Sequence, residues 1–365
     1  MQLKDLPIGS LVKEPASFIH GDSIVWKVVD KNHTNYPTNS VTLLTDKIIT
    51  FNAFDAKEAT NPDKDYAVNY GNTDYSVSNI RQWLNSNASA GNWYSAQHDY
   101  DAPPSAENLS QQYTHFNGFT NRAGFLTNLS AQFKNLILPT TITYTAGDDD
   151  VNTIENQLIF LPSETEVGRA VGGSGATVGT IFEYFGSVDV GSGAYKTTAT
   201  IGALNDAITS GLERVVPIAD TTKVYDYMFR HIDFSENYIS TSNGSEYAYD
   251  IFGIRPVCNV VDTVYVTERP GEDGCYTIIY EPLYNEYLTG AGLSKVLTNV
   301  KNYIDNASAP EIIVGDTAPD KDSAKLWLDT SSSNSTVSGF WAGTQAEYNS
   351  LTTKNPTTLY LIKEG

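Results

Sequence analysis

The chain has 365 residues, 40% of them hydrophobic and 12% aromatic, enough for one substantial core with smaller appendages, because single cores seldom grow past roughly 250–300 residues. With 43 acidic against 23 basic residues the formal net charge is -20, which repels phosphate backbones and anionic headgroups and argues against nucleic acid as a partner. No window approaches the roughly 20 consecutive apolar residues of a bilayer-spanning helix, so no membrane insertion is expected.

From Gly9 to about Tyr280 short apolar runs alternate with loops rich in Asn, Ser, Gly and Asp. In order they are "SIVWKVVD", "SVTLLTDKII", "NLILPTTITY", "QLIFLP", "VVDTVYVT" and "CYTIIY", so most regular elements read as short strands. Two segments read as helix instead. In "YSVSNIRQWLNSN", Ser78 caps a turn that carries Ile80, Trp83 and Leu84 on one side. In "PSETEVGRAV", Ser163 precedes Glu166 at the spacing of a capping box. The expectation is an α+β domain.

After Pro282 the character changes. "NEYLTGAGLSKVLTNVKNYIDNASAP" places Leu293, Val296, Leu297, Val300 and Ile304 at three-and-four spacing, with Tyr303 beside them, an apolar stripe along one side of a helix. About four turns of helix are marginal alone, so this stripe is read as an oligomerisation or docking surface. Two Pro/Asp/Ser-rich pieces follow, each with a short strand, "KLWLD" or "TLYLI". The expected organisation is therefore 1–281 as the main domain, 284–308 as the helix, and 309–365 as small β modules for attachment or self-association.

Candidate chemistry is sparse. The two cysteines, Cys258 and Cys275, are too few for a disulfide framework or a zinc cluster and are read as separate buried thiols. His20, His33, His98, His115 and His231 are scattered, with no triad or metal spacing, and a surface or packing role is expected for His98 and His115. The glycine-rich "GGSGATVG" lacks a Gly-Lys-Ser/Thr ending and reads as a loop rather than a phosphate cradle. "GDDDVN" and "NPDKD" concentrate hard oxygen ligands, so calcium is one reading and a solvated acidic loop the other.

One loop has the composition of a binding surface. In "NYISTSNGSEYAYDIFGIRP", Tyr238, Tyr247 and Tyr249 stand among Asn237, Ser242, Asn243, Ser245 and Glu246, with Tyr225 and Tyr227 as possible outer members. Tyrosine offers amphipathic contact area at low entropic cost, and Ser and Asn supply adaptable hydrogen bonds. Tyr247 and Tyr249 would share one side of an extended segment. The alternative is a polar hairpin turning at Asn243-Gly244. Arg255 reads as a buried or half-buried donor tying loop carbonyls together, ahead of Pro256 at a strand start.

The ordered series "IGSLV", "IVWKVVD", "VTLLTD", "SNIRQWLNS", "GFLTNLSAQFKNLILPTTITY", "IFLPSETEVG", "YDYMFRHID" and "GIRPVCNV" resembles a phage-and-bacterial family of unknown-function domains that end in a Gly-Ile-Arg-Pro strand. That family is similar to the C-type-lectin-like, formylglycine-generating-enzyme-like fold. The resemblance implies a final strand, "GIRPVCNVV", returning beside the first. "YLTGAGLSKVLTNVKNYI", "APDKDSAKLWLDTS" and "AGTQAEYNSLTTKNPTTLYLI" resemble modules of bacteriophage fibre, baseplate and decoration proteins. Together they imply a non-enzymatic virion structural protein, a homotrimer bound to other virion proteins, whose lectin-like domain binds a host cell-surface glycan or cell-wall structure. A capsid decoration or head-fibre protein is the alternative, and a cysteine-oxidising or glycan-cleaving enzyme a lesser one. The segment "MQLKDLPIGSLVKEPASF" lacks the apolar run of a secretion signal, so synthesis in the host cytoplasm and release inside a particle are expected.

Overall fold

A computed structural model describes residues 1–62, 67–110, 118–146, 150–163, 165–168, 178–186, 198–201, 203, 215–221, 229–233, 238–240 and 247–280, and then 325–327, 339–344, 349–350 and 358–363. The chain divides into two compact units, Met1–Pro282 and Leu283–Gly365. The predicted helix over 284–308, with Leu293, Val296, Leu297, Val300 and Ile304, lies outside the described residues.

The first unit is α+β and rich in strand. Its strands are β1 (Leu11–Ile19), β2 (Asp22–Lys31), β3 (Ser40–Thr45), β4 (Thr50–Ala53), β5 (Thr140–Ala146), β6 (Asp150–Gln157), β7 (Val215–Thr221), β8 (Phe229–Asp233), β9 (Tyr238–Ser240), β10 (Ile251–Ile254), β11 (Val257–Val261), β12 (Tyr265–Val266) and β13 (Cys275–Ile279). Its helices are short: α1 (Ala67–Tyr70), α2 (Asn79–Leu84), α3 (Ala131–Lys134) and α4 (Glu183–Gly186). A six-stranded sheet in the order β11-β3-β2-β1-β13-β12 forms the frame, antiparallel at every junction except β1 with β13. Smaller sheets pair β10 with β4, β5 with β6, and β7-β8-β9.

Local chemistry explains the frame. β1 and β2 join through His20 and Gly21, both at positive φ (51° and 88°), the two-residue turn whose twist matches an antiparallel pair. In β2 the alternation that buries Ile24, Trp26 and Val28 breaks at a bulge between Val28 and Asp30, where Val29 is buried as well. Both edges of the sheet are covered, an arrangement that blunts edge-to-edge pairing. Ile137 and Phe160 bridge to β11, and Gln2 bridges to β12.

One contiguous core contains Trp26, Phe51, Phe54, Trp83, Phe119, Phe125, Phe133 and Phe160. α2 forms where it is expected: the Ser78 hydroxyl accepts from the Arg81 amide, and Ile80, Trp83 and Leu84 are buried. Asn85 ends that helix and ties it to the chain beyond β6, donating to the Ile159 carbonyl at 2.8 Å and accepting from the Leu158 amide at 2.8 Å.

Three expectations need correction. "QLIFLP" is not a strand beyond its first residue: β6 ends at Gln157, just after Asn156 at φ 59°, and the apolar run crosses the end of α2 with one bridge, from Phe160 to Val257. A short apolar run buried on all sides carries no periodicity that separates strand from coil. The Ser163–Glu166 box forms, with Ser163 N donating to Glu166 Oε2 at 2.7 Å and Glu166 N to Ser163 Oγ at 3.2 Å. It closes a single turn over 165–168 and starts no helix there, with Gly168 at φ 82°, a left-handed conformation that ends a helical turn. "GIRPVCNVV" is not one strand beside the first. It contributes the end of β10, paired with β4, and β11, paired with β3. The strand that returns beside β1, and parallel to it, is β13, "CYTII".

Arg255 sits between those two strands as expected. Its side chain is buried, with Nε donating to the Thr45 carbonyl and Nη2 to the Asp46 carbonyl, each at 3.0 Å. Burial lowers its pKa to about 10, so it stays charged at neutral pH.

In the second unit β14 (Lys325–Trp327), β15 (Gly339–Thr344) and β16 (Thr358–Lys363) form a sheet in the order β14-β16-β15, with β16 antiparallel to β14 and parallel to β15.

Candidate ligand-binding site

Three chain segments meet at the end of the β4–β10 pair. After β4 the chain turns at Asp55, a buried carboxylate whose oxygens accept from the amides of Asn72 and Asn79, both at 2.9 Å. This fixes the stretch from Tyr70 to Asn79 against the core. Gly71, at φ 80°, passes so close to this turn that a Cβ there would lie 2.9 Å from the Asp55 carbonyl and 3.2 Å from Ala248 Cβ.

The third segment is Tyr247–Asp250. Asp250 N donates to the Tyr247 carbonyl at 2.9 Å, and Tyr247 N to Asp250 Oδ2 at 3.0 Å, so the segment is a tight turn and not the extended piece expected from "SEYAYD". An aspartate three residues after the first tyrosine closes the turn, which alternation of side chains does not reveal. The turn is pinned on both sides: Asp55 N donates to the Ala248 carbonyl at 2.8 Å, and Tyr249 N to the Tyr70 carbonyl at 3.0 Å. Ala248 is fully buried between two half-buried tyrosines.

These contacts bring Tyr70, Tyr247 and Tyr249 together. Tyr70 and Tyr247 stack with centroids 4.0 Å apart and planes 20° apart. Tyr247 and Tyr249 lie nearly parallel, at 11°, with centroids 5.8 Å apart, and Tyr70 is 6.5 Å from Tyr249. The three distances put Tyr249 to the side of Tyr247, nearly at right angles to the direction of Tyr70. Lys57 completes the group, its ammonium 4.1 Å from the centre of the Tyr249 ring.

The surroundings are acidic. Burial pushes Asp55 well above the ordinary carboxylate range, and it also raises Asp101 and Asp250. Glu58, buried, accepts from Asn61 Nδ2 at 2.6 Å, and its other oxygen lies 3.3 Å from His98 Nε2. His98 thus packs the 95–101 loop onto the site's flank, a packing role like the one expected for it. His115 lies outside the described residues.

A pH dependence follows. The folded state holds protons on Asp55, Asp101 and Asp250 that the unfolded chain releases above the ordinary carboxylate range, so stability falls as pH rises through that interval. Asp273, lowered by its bond to Lys13, acts in the opposite sense but is exposed and screened. Relief of the surplus negative charge adds to the first effect. The melting temperature is expected to be higher at pH 5.5 than at pH 7.5. An equal or lower value at pH 5.5 contradicts this.

Of the residues proposed from sequence, the structure brings Tyr247 and Tyr249 together. The backbone of Tyr238 lies on β9, while Asn237, Ser242, Asn243, Ser245, Glu246, Tyr225 and Tyr227 lie outside the described residues. Sequence reasoning missed Tyr70 and Lys57, which reach the site from far away in the chain. The one local signal was "NYGN", a glycine beside a tyrosine where two segments cross closely.

Other titratable groups serve packing. His33 is buried, with Nδ1 2.6 Å from Asp30 Oδ2 and Nε2 3.8 Å from Glu166 Oε1, and its ring packs on Tyr36 and Phe182. The Tyr36 hydroxyl donates to Glu166, and burial, reinforced by that carboxylate, pushes its pKa well up. Cys258 and Cys275 are free, buried and on different strands, and burial raises both thiols, away from the thiolate form that nucleophilic chemistry uses. Among the described residues no group of three His, Cys, Asp or Glu side chains is placed to hold a metal ion. The calcium candidates fall largely outside them, at 147–149 and 63–65. No helix among the described residues is long and apolar enough to cross a membrane.

Residues 39–261 match a family model described as a domain of unknown function (DUF6273), and residues 338–363 match one described as a phage tail tip domain. No curated protein and no solved structure matches the chain. The first match spans β3 to β11, so β1, β2, β12 and β13, which complete the sheet, lie beyond it. The second covers β15 and β16. It supports a bacteriophage-related structural protein, a component of the virion associated with other virion proteins.

Proposed function

The chain belongs to the DUF6273 family, and from that premise we propose that it is a non-enzymatic virion protein whose first unit binds the host surface during adsorption, at a glycan or cell-wall structure. The observation that carries this reading is the group of Tyr70, Tyr247 and Tyr249 with Lys57 over the last ring. Half-buried tyrosines held rigidly by a buried alanine and a closed turn lose little entropy on binding, and they match the C–H faces and hydroxyls of sugars together. The first unit is read as C-type-lectin-like, and the return of β13 alongside β1 supports that architecture. The tail-tip similarity of residues 338–363 favours the tail over a decoration role on the head. A homotrimer assembled through the second unit remains part of the proposal. Catalysis is not part of it: neither thiol is poised for oxidation chemistry, and the buried His33 network is closed by its own partners.

The test is competition. Purified full-length chain, added in excess to host cells, is expected to reduce adsorption of the particle, and the same chain with Tyr247→Ala and Tyr249→Ala is expected to compete at least about fivefold less well, as interface-anchor losses of 1 kcal/mol or more imply. Equal competition by the two folded proteins contradicts the assignment of this site.

A further inference from the structure

We infer that the site takes a neutral polysaccharide, engaged over at least two consecutive sugar units, with one unit against Tyr247 and the next against Tyr249. The inference rests on the proposed host-surface reading and narrows it to a ligand class.

Two observations carry it. The first is the arrangement of the rings. Tyr70 stacks on Tyr247 at 4.0 Å, whereas Tyr249 lies to the side of Tyr247 at 5.8 Å with its plane only 11° away. The pair is therefore a terrace of two nearly parallel rings and not a single stacking point, and Tyr70 backs one end of it. A lone sugar ring covers one tyrosine. A chain of sugars, whose successive rings present C–H faces at intervals along one direction, covers both. The turn that holds the terrace is rigid: Tyr247 N and Asp250 N close it from within, and Asp55 N and Tyr249 N pin it from without. The spacing of the rings is thus set before a ligand arrives.

The second observation is charge. The cation at the site is committed: Lys57 lies over the Tyr249 ring and its charge acts on Asp250. The chain as a whole carries a net charge of -20. A polymer carrying phosphates, uronates or sialates meets repulsion there, while a neutral polymer meets none. Lys57 acts through Tyr249, holding that ring beside its neighbour, and is a positioning residue.

The experiment uses the full chain and cell-envelope polysaccharide from a bacterium to which the particle adsorbs, separated by anion exchange into neutral and anionic fractions and cut by partial acid hydrolysis into a size ladder. Binding by calorimetry is expected to strengthen at least about fivefold from one sugar unit to two or three in the neutral fraction, the increment of one further aromatic anchor. Tyr249→Ala is expected to abolish that dependence on length. Equal affinity for one unit and several, binding confined to the anionic fraction, or no binding to either fraction overturns the inference. The host-surface reading fails separately, when Tyr247→Ala with Tyr249→Ala leaves competition for adsorption unchanged; if competition drops but length dependence is absent, that reading stands and only the ligand class is wrong.

Discussion

Replacing Arg255 by methionine is expected to lower the unfolding free energy of the first unit by about 3–6 kcal/mol, because hydrogen bonds to a charged group contribute roughly 1.5–3 kcal/mol each and two of those from Arg255 tie the Thr45 and Asp46 carbonyls. Methionine keeps most of the volume, so the loss isolates the polar contribution. The Thr45 and Asp46 carbonyls that it abandons belong to the end of β3 and the turn after it, so the penalty falls where β10 hands over to β11. Lysine is expected to rescue only part of the loss, since one ammonium cannot reproduce the planar fork that reaches both carbonyls. Urea denaturation monitored by tryptophan fluorescence measures it, and a change under about 1 kcal/mol contradicts a role for Arg255 as the tie between the two strands.

Trp83→Ala is expected to cost about 3–5 kcal/mol, the range for emptying a large aromatic site in a core. The indole is buried, its N–H donates to the Ala123 carbonyl at 2.9 Å, and its ring lies 5.5 Å from Phe125 and 6.2 Å from Phe119. The backbone beside it gives little room for collapse. Gly124 lies where a Cβ would come within 2.3 Å of the Ser86 carbonyl, so the chain on the two sides of the tryptophan is already in close contact. Trp83→Phe, which keeps ring contacts and loses only the N–H bond, is expected to recover most of the stability. The same denaturation experiment decides, and a loss below about 1 kcal/mol for the alanine variant contradicts the packing described.

What could be read from the sequence were the elements whose signals are local. α2 announces itself through Ser78 and the spacing of Ile80, Trp83 and Leu84, and β2 through alternation around Trp26. Arg255 was legible because an arginine beside a proline between two apolar runs has few fates other than tying backbone carbonyls. Topology was less legible. "GIRPVCNVV" divides between two sheets, and β13 takes the place beside β1, since which strand returns depends on long-range pairing that no short window contains. "QLIFLP" misleads for a related reason: full burial erases the period that distinguishes strand from coil.

The candidate site shows the same division. Composition marked Tyr247 and Tyr249, but it took the fold to turn "YAYD" back on itself and to bring Tyr70 and Lys57 beside it. The positions of the tyrosines in sequence suggested one face of a strand. Their actual relation comes from the buried Ala248, which anchors the turn while the rings stay half-buried on either side.

Adsorption of assembled particles tests the central claim most directly. Particles carrying Tyr247→Ala and Tyr249→Ala, confirmed to contain the protein at normal copy number and with an unchanged melting curve for the purified chain, are put to host cells and the unbound fraction is counted over time. The account predicts an adsorption rate at least about fivefold lower than that of unmodified particles, measured at low particle number so that many copies per particle do not mask the loss of affinity. Adsorption at the unmodified rate would contradict it.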